Sequence, residues 1–155
     1  MFTAAEKRAV QATCRVNGAV GANAVVPRII KQVAKKTDSI LDFGCGYGQI
    51  HVKSLTESGF NVKGYDFSIP GSEMWLQSKF DIVYASNVLN VQTSEDMLKR
   101  TLGQIRKCTG RLAVMNYPAS PRKIRLSTKN MKDFLAQYFS EVNKIACINI
   151  FICCL

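Results

Sequence analysis

Three glycines stand at alternate positions in Asp42-Phe43-Gly44-Cys45-Gly46-Tyr47-Gly48, directly after the short apolar run Ser39–Phe43. Glycine carries no Cβ, so such a segment can turn sharply and let a ligand lie against bare peptide groups. Residues 49–58 then read as a helix closed by Gly59, and a helix start offers N–H groups without intrahelical partners. Open α/β sheets bind nucleotide-like ligands beyond the carboxyl ends of their strands, where a loop of this kind lies. Asp66 falls 22 residues after Gly44, at the end of the next predicted strand, Asn61–Tyr65. A carboxylate there is placed to accept hydrogen bonds from both ribose hydroxyls of an adenosine.

The spacing discriminates between ligands. A dinucleotide loop reads G-x-G-x-x-G and holds a pyrophosphate on the helix N-terminus. This one reads G-x-G-x-G, with Asp42 two residues before the first glycine. A carboxylate at that point repels a pyrophosphate and attracts the ammonium of an amino acid. The ligand that joins adenosine to an amino acid through a sulfonium is S-adenosylmethionine, which makes a nicotinamide-dependent oxidoreductase the weaker reading.

The stretch Asp42–Gly48 resembles the first motif of the class I S-adenosylmethionine-dependent methyltransferases. Val62–Asp66 resembles their ribose-binding second strand, and Phe80–Asn90 their fourth strand and its loop. The resemblance covers roughly residues 38–118. It implies that Gly44, Gly46 and Gly48 contact the methionine and ribose of the cofactor and that Asp42 lies near its amine; Cys45, within the loop, is expected to pack or to touch the cofactor through its backbone. It further implies that Asp66 takes the ribose hydroxyls, that Phe67 lies beside the adenine, and that Asn87 lies near the transferred methyl. The chain departs from that family in two places. Thirteen residues separate Asp66 from Phe80, too few for the usual helix, strand and helix, so the third strand and its adenine-binding acid are expected to be missing. Ser72, Glu73 or Met74 are left to approach the adenine. Residues 142–155 contain no glycine or proline and are expected to supply one strand, Lys144–Cys154, where the family has two.

The elements that must position these residues follow from local signals. Thr3 and Glu6 form a capping-box pattern for a helix reaching about Arg15, stopped by Asn17 and Gly18. Asn23 is the predicted cap of a second helix, with Val26, Ile29, Ile30 and Val33 on one face. Thr93 or Ser94 caps a helix whose stripe is Leu98, Leu102, Ile105 and Cys108, ending at Gly110; the strand Arg111–Asn116 follows. Ser127 caps a last helix carrying Met131, Phe134, Leu135, Tyr138 and Phe139. Phe80–Ala85 reads as a buried strand, and 67–79 fits no element. Strands alternating with helices predict an α/β fold, a Rossmann-like, mostly parallel sheet with helices on both faces. The 155 residues fit a single domain, 1–155, with the N-terminal helices of 1–36 covering the sheet.

With 47% hydrophobic and 21% charged residues, the chain is globular rather than disordered or fibrous. No apolar run reaches the roughly 20 residues of a spanning helix, and residues 1–10 lack a signal-like apolar stretch. The expected location is cytoplasmic, with reduced thiols: the six cysteines include no Cys-x-x-Cys pair. One histidine, His51, leaves little from which to build a metal site.

The methyl acceptor is less legible. No cysteine follows a proline, and no Asn/Asp-Pro-Pro-aromatic motif occurs, which excludes cytosine C5 methylation and disfavours methylation of exocyclic base amines. Cys45 is expected to pack rather than attack, and His51 to lie at the surface rather than act as a base. Trp75, Tyr84 and Tyr117 fit either a substrate pocket or the core. The net charge of +10 is concentrated at the two ends, +5 over residues 1–38 and +7 over 101–155. Pro121–Lys132 carries five basic residues and no acid. Arg122, Lys123 and Arg125 are thus the candidate contacts to an anionic acceptor, with nucleic acid slightly ahead of a small molecule or a protein. The alternative is a regulatory or S-adenosylmethionine-depleting protein that binds the cofactor without transferring its methyl. Lys144–Cys154, read as an uncovered apolar edge, suggests a homodimer closed by this edge or by the flank left open where the third strand is missing, with N-terminal helices wrapping over it as the monomeric alternative.

Overall fold

The computed structural model describes residues 2–16, 24–145 and 148–155. Its elements are α1 (Ala4–Val16), α2 (Val25–Val33), β1 (Ser39–Phe43), α3 (Ile50–Glu57), β2 (Asn61–Tyr65), β3 (Phe80–Ala85), α4 (Glu95–Cys108), β4 (Thr109–Asn116), α5 (Thr128–Leu135), β5 (Glu141–Lys144) and β6 (Ile150–Cys154). The six strands form one sheet in the order β2-β1-β3-β4-β6-β5. The first four run parallel, while β6 is antiparallel to both β4 and β5. The chain leaves β1 for β2 on one side and reaches β3 on the other. This reversal opens a crevice beyond the carboxyl ends of β1 and β3.

Side chains alternate across the strands and split the core in two. Leu41, Phe43, Val83, Ala85 and Met115 face α4 and α5, packing on Leu98, Leu102, Met131 and Leu135. Ile40, Ile82, Tyr84 and Val114 face the other way, onto Val26 and Ile30 of α2 and Leu55 of α3. The α/β sheet with helices on both faces is as expected. No strand lies between β2 and β3 in the chain; a 3-10 turn, Ser72–Gln77, occupies that stretch and β2 stays at the sheet's edge.

Other expectations are corrected. The C-terminal segment makes two strands, not one. Its turn needs no glycine: the Ile145 N–H donates to Ile150 O at 2.9 Å and the Ile148 N–H to Ile145 O at 3.4 Å. The apolar strand β6 is therefore internal, and the edge is β5, on which only Val142 is buried. A short polar edge blunts strand addition, so the premise of a dimer through residues 144–154 falls. Gly110 does not close α4. It lies within β4, which starts at Thr109, where a Cβ would come 2.9 Å from the Phe80 carbonyl oxygen. The N-cap of α2 is Ala24; Asn23, like the stop at Asn17 and Gly18, lies outside the described residues. Ser94 and Ser127 cap α4 and α5 as predicted, accepting from the N–H groups of Met97 and Asn130.

Candidate functional site

The glycine loop is tied to the end of β2. The N–H groups of Gly44 and Cys45 both donate to Tyr65 O, at 2.7 and 3.0 Å. Gly44 has φ +83°, and a Cβ on it would lie 2.5 Å from Val88 Cγ2. Only glycine lets the loop close on the segment after β3. Gly46 has φ +67° and nothing within 4 Å of its would-be Cβ. Its free face opens on solvent-accessible space, the cradle a ligand needs.

Asp66 completes the loop. Its Oδ2 accepts from the Gly46 N–H at 3.0 Å, and its Oδ1 from the Ser68 N–H and hydroxyl at 2.8 and 2.6 Å. A carboxylate offers about four acceptor positions, so the group that shapes the loop keeps capacity for a ligand hydroxyl. Ser72 braces the backbone here, accepting from the Asp66 N–H and donating to Asp66 O.

Asn87 adopts φ +59° just beyond β3, a left-handed conformation asparagine tolerates better than most residues. It is clamped by Asn116 at the end of β4: its N–H donates to Asn116 Oδ1 at 2.6 Å, and Asn116 Nδ2 donates to its Oδ1 at 2.8 Å.

These groups meet around a cavity of about 320 Å³ whose lining includes Gly44, Gly46, Asp66, Phe67 and Asn87. The structure thus brings together five of the predicted residues. Asp42, Cys45 and Gly48 are not among the lining. Asp42 is 1% exposed, pointing with Tyr84 into the α2–α3 side of the core. Its Oδ2 has no hydrogen-bond partner, and the Tyr84 hydroxyl faces it without closing a bond of ordinary geometry. Burial pushes its carboxyl up to about 7; the Tyr84 hydroxyl works against this and the Asp66 charge adds to it. Cys45 packs its Sγ on Gly64, and burial raises its thiol above the ordinary range. It is an inert packing group, as expected.

His51 is buried on α3, not at the surface. Tyr84 and Tyr117 belong to the core, while Trp75 is half-buried against Phe80. Ser72, Glu73 and Met74, the residues left to approach an adenine, do not line the cavity. Arg122 does not reach outward for an acceptor. Its guanidinium donates to the carbonyls of Pro118, Leu126 and Tyr117 at 2.7, 3.0 and 2.8 Å and stacks 3.9 Å from the Tyr117 ring. It clamps the β4–α5 loop, leaving Lys123 and Arg125 as the exposed members of the candidate trio.

One wall went unforeseen. Helix α1 does not cover the sheet; Phe2, Val10 and Gln11 line the cavity. The helix is held there by an ion pair between Glu6 and Arg100 and by packing of Val10 on Val91 and Met97. Its capping box is formed, Glu6 N–H to Thr3 Oγ1 and Thr3 N–H to Glu6 Oε2. That local pattern announces a helix but not where it docks. Among the described residues no cluster of three or more metal-ligating side chains occurs, and no helix is long and apolar enough to cross a membrane.

A family model described as a methyltransferase domain matches residues 19–148. No curated protein matches the sequence. Among solved structures, a TehB-like SAM-dependent methyltransferase from Corynebacterium glutamicum superposes with a TM-score of 0.62 at 16% identity, covering 93% of this chain and 91% of its own. The magnesium protoporphyrin IX methyltransferase of Synechocystis, solved with bound SAM, gives 0.60 at 15% identity over 94% and 83%. A 1,6-didemethyltoxoflavin-N1-methyltransferase of Burkholderia thailandensis, with that compound and S-adenosylhomocysteine bound, gives 0.63 at 14% identity over 99% and 90%. At such identities the likeness is one of fold.

Proposed function

Because the chain belongs to the methyltransferase-domain family, we propose that it transfers the methyl group of S-adenosylmethionine to a small organic acceptor. The observation that carries this reading is the joining of Gly46 and Asp66 at the mouth of one cavity by a 3.0 Å hydrogen bond. The open face of Gly46 lets the ligand touch the backbone, and Asp66 receives its ribose hydroxyls. When bound, the cofactor supplies an electrophilic sulfonium methyl. The chain's own part is to hold the donor at Gly44, Gly46 and Asp66, to fix Asn87 at the cavity wall through Asn116, and to close α1 over the apolar side. Alignment of donor and acceptor supplies much of the catalysis such a transfer needs.

A small acceptor is supported by two observations. Two of the similar solved structures are named for a small acceptor, magnesium protoporphyrin IX and 1,6-didemethyltoxoflavin. The strip expected to meet a phosphate backbone has its first arginine turned inward. The nucleic-acid preference finds no support in either.

Incubation with labelled methyl-S-adenosylmethionine and separated metabolite, protein and nucleic-acid fractions tests the proposal. Label is expected in the metabolite fraction. Label confined to nucleic acid or protein refutes the acceptor class, and cofactor binding without transfer to any fraction favours a binding protein. Saturable binding of NAD without S-adenosylmethionine refutes the reading of the loop.

A further inference from the structure

Beyond Asp66 the cavity becomes apolar, walled by Phe67, Val10, Val91 and Met97. A ribose held at Asp66 directs its base into this half. Two buried polar side chains line it, Gln92 at 4% exposure and Thr101 at 1%. The hydroxyl of Ser68, nearer the mouth, is already committed to Asp66.

Gln92 is held in one orientation. Its Nε2 donates to Val88 O at 2.8 Å, and its Oε1 accepts from Thr101 Oγ1 at 3.1 Å. A primary amide has two N–H donors and two acceptor lone pairs. Each of these contacts uses one, leaving the amide one donor and one acceptor for a ligand. That pair is complementary to the N1/N6 acceptor–donor edge of adenine, as a glutamine amide is to its N6/N7 edge elsewhere. A free glutamine could rotate its amide by half a turn and accept the reversed N1–H/O6 edge of a 6-oxopurine. Here that rotation would set Oε1 against the Val88 carbonyl, two acceptors face to face.

We propose that Gln92, oriented by Val88 and Thr101, is the specificity-determining residue for the cofactor's base, reading the adenine edge and rejecting a 6-oxopurine. The assignment rests on the cofactor reading above and gives the chain a base reader on the β3–α4 loop, in a fold without a third strand.

Calorimetry with S-adenosylhomocysteine and its deaminated analogue, S-inosylhomocysteine, reads this directly. The protein should bind the adenosyl compound about ten- to a hundredfold more tightly, the discrimination of one good bidentate contact. Gln92→Met keeps the side-chain length and removes both polar atoms. It should reduce the ratio to less than about threefold, almost wholly through weaker binding of the adenosyl compound. A residue that merely supports the loop would weaken both ligands alike and preserve the ratio. If Gln92→Met does not fold, Thr101→Val, which removes one of the two orienting bonds, should still lower the ratio at least about threefold. Equal affinities in the unaltered protein, or a ratio indifferent to the substitutions, overturns the assignment and leaves the cofactor reading standing. Failure of the unaltered protein to bind S-adenosylhomocysteine overturns both.

Discussion

Asp42→Asn should make the protein more stable in mild alkali, and the size of the gain is calculable. The Asp42 carboxyl is 1% exposed, lacks a partner on Oδ2, and is raised by burial to about 7. In the unfolded chain it ionises near the ordinary value of about 3.9. Between these values the folded chain keeps a proton that the unfolded chain has lost. The folded state binds more protons, so stability falls as pH rises from about 4 to about 7. Above that window the whole cost of ionising a buried carboxyl is present, about 4 kcal/mol at 1.36 kcal/mol for each tenfold change in proton affinity. Asparagine has the same shape and no proton to lose. At pH 8 the variant should gain about 2–4 kcal/mol, since a buried amide without a good partner gives part of the benefit back. At pH 4, where the aspartate is protonated in the folded chain and about half protonated in the unfolded one, the two proteins should agree within about 1 kcal/mol. Thermal melts of the cofactor-free protein from pH 4 to 8.5 measure this. For a chain of this size the alkaline gain corresponds to about 4–16 °C in Tm. The difference between the two melting curves is the quantity to read, because it removes every other titrating group. Curves that stay parallel from pH 4 to 8.5 would refute the reasoning, showing that Asp42 ionises in the folded chain as it does in water.

Asp66→Ala removes charge-assisted hydrogen bonds worth about 1.5–3 kcal/mol each, so S-adenosylmethionine should bind at least about tenfold more weakly; an unchanged Kd would show that Asp66 holds only the loop. Gly44→Ala drives a Cβ to 2.5 Å from Val88 Cγ2 at φ +83°, and urea unfolding should reveal a loss of about 2–4 kcal/mol. Gly46→Ala meets nothing within 4 Å and should cost only about 1–2 kcal/mol, yet abolish measurable cofactor binding; the reverse ranking of the two glycines would overturn the division of labour in the loop. Arg122→Ala should lower stability by about 1–3 kcal/mol through three carbonyls left unpaired, whereas the double replacement of Lys123 and Arg125 by alanine should leave the melt within about 0.5 kcal/mol; equal effects would mean that the guanidinium is not a clamp.

The parts of the fold legible in the sequence were those written in local chemistry. Ser39–Phe43 and Phe80–Ala85 are largely apolar runs and Asn61–Tyr65 follows the helix stop at Gly59; all three are strands at those bounds. Ser127 announces its helix because a hydroxyl before an amphipathic stripe satisfies an otherwise orphaned N–H. What failed depended on partners distant in sequence. β5 and β6 are brought together through the pairing of Ile145 with Ile150, which no turn residue signals. Gly110 looked like a helix stop because its real constraint, the Phe80 carbonyl oxygen, lies thirty residues away. In the site, Gly44, Gly46 and Asp66, read from backbone geometry and charge, reach the cavity wall, as do Phe67 and Asn87, implied by the resemblance, whereas Asp42, Cys45 and Gly48 do not. Gln92, Thr101 and Asn116 were not foreseen, since an amide or hydroxyl has no spacing rule until the loops are placed. The same holds for Arg122, whose charge suggested an outward role that its three carbonyl partners exclude.

Strand β2 ends in the acid that closes the cavity, yet it is bonded to the sheet only through β1. An edge strand is among the first parts of a sheet to open locally. Any ligand that engages Asp66 requires β2 to be in place, so the free energy of opening the strand and that of releasing the ligand are linked. Saturating ligand should therefore slow amide exchange across residues 61–65 far more than in β3, which is braced on both sides. With nothing among the described residues paired to the outer edge of β2, a ligand held at Asp66 becomes a part of the scaffold that comes and goes.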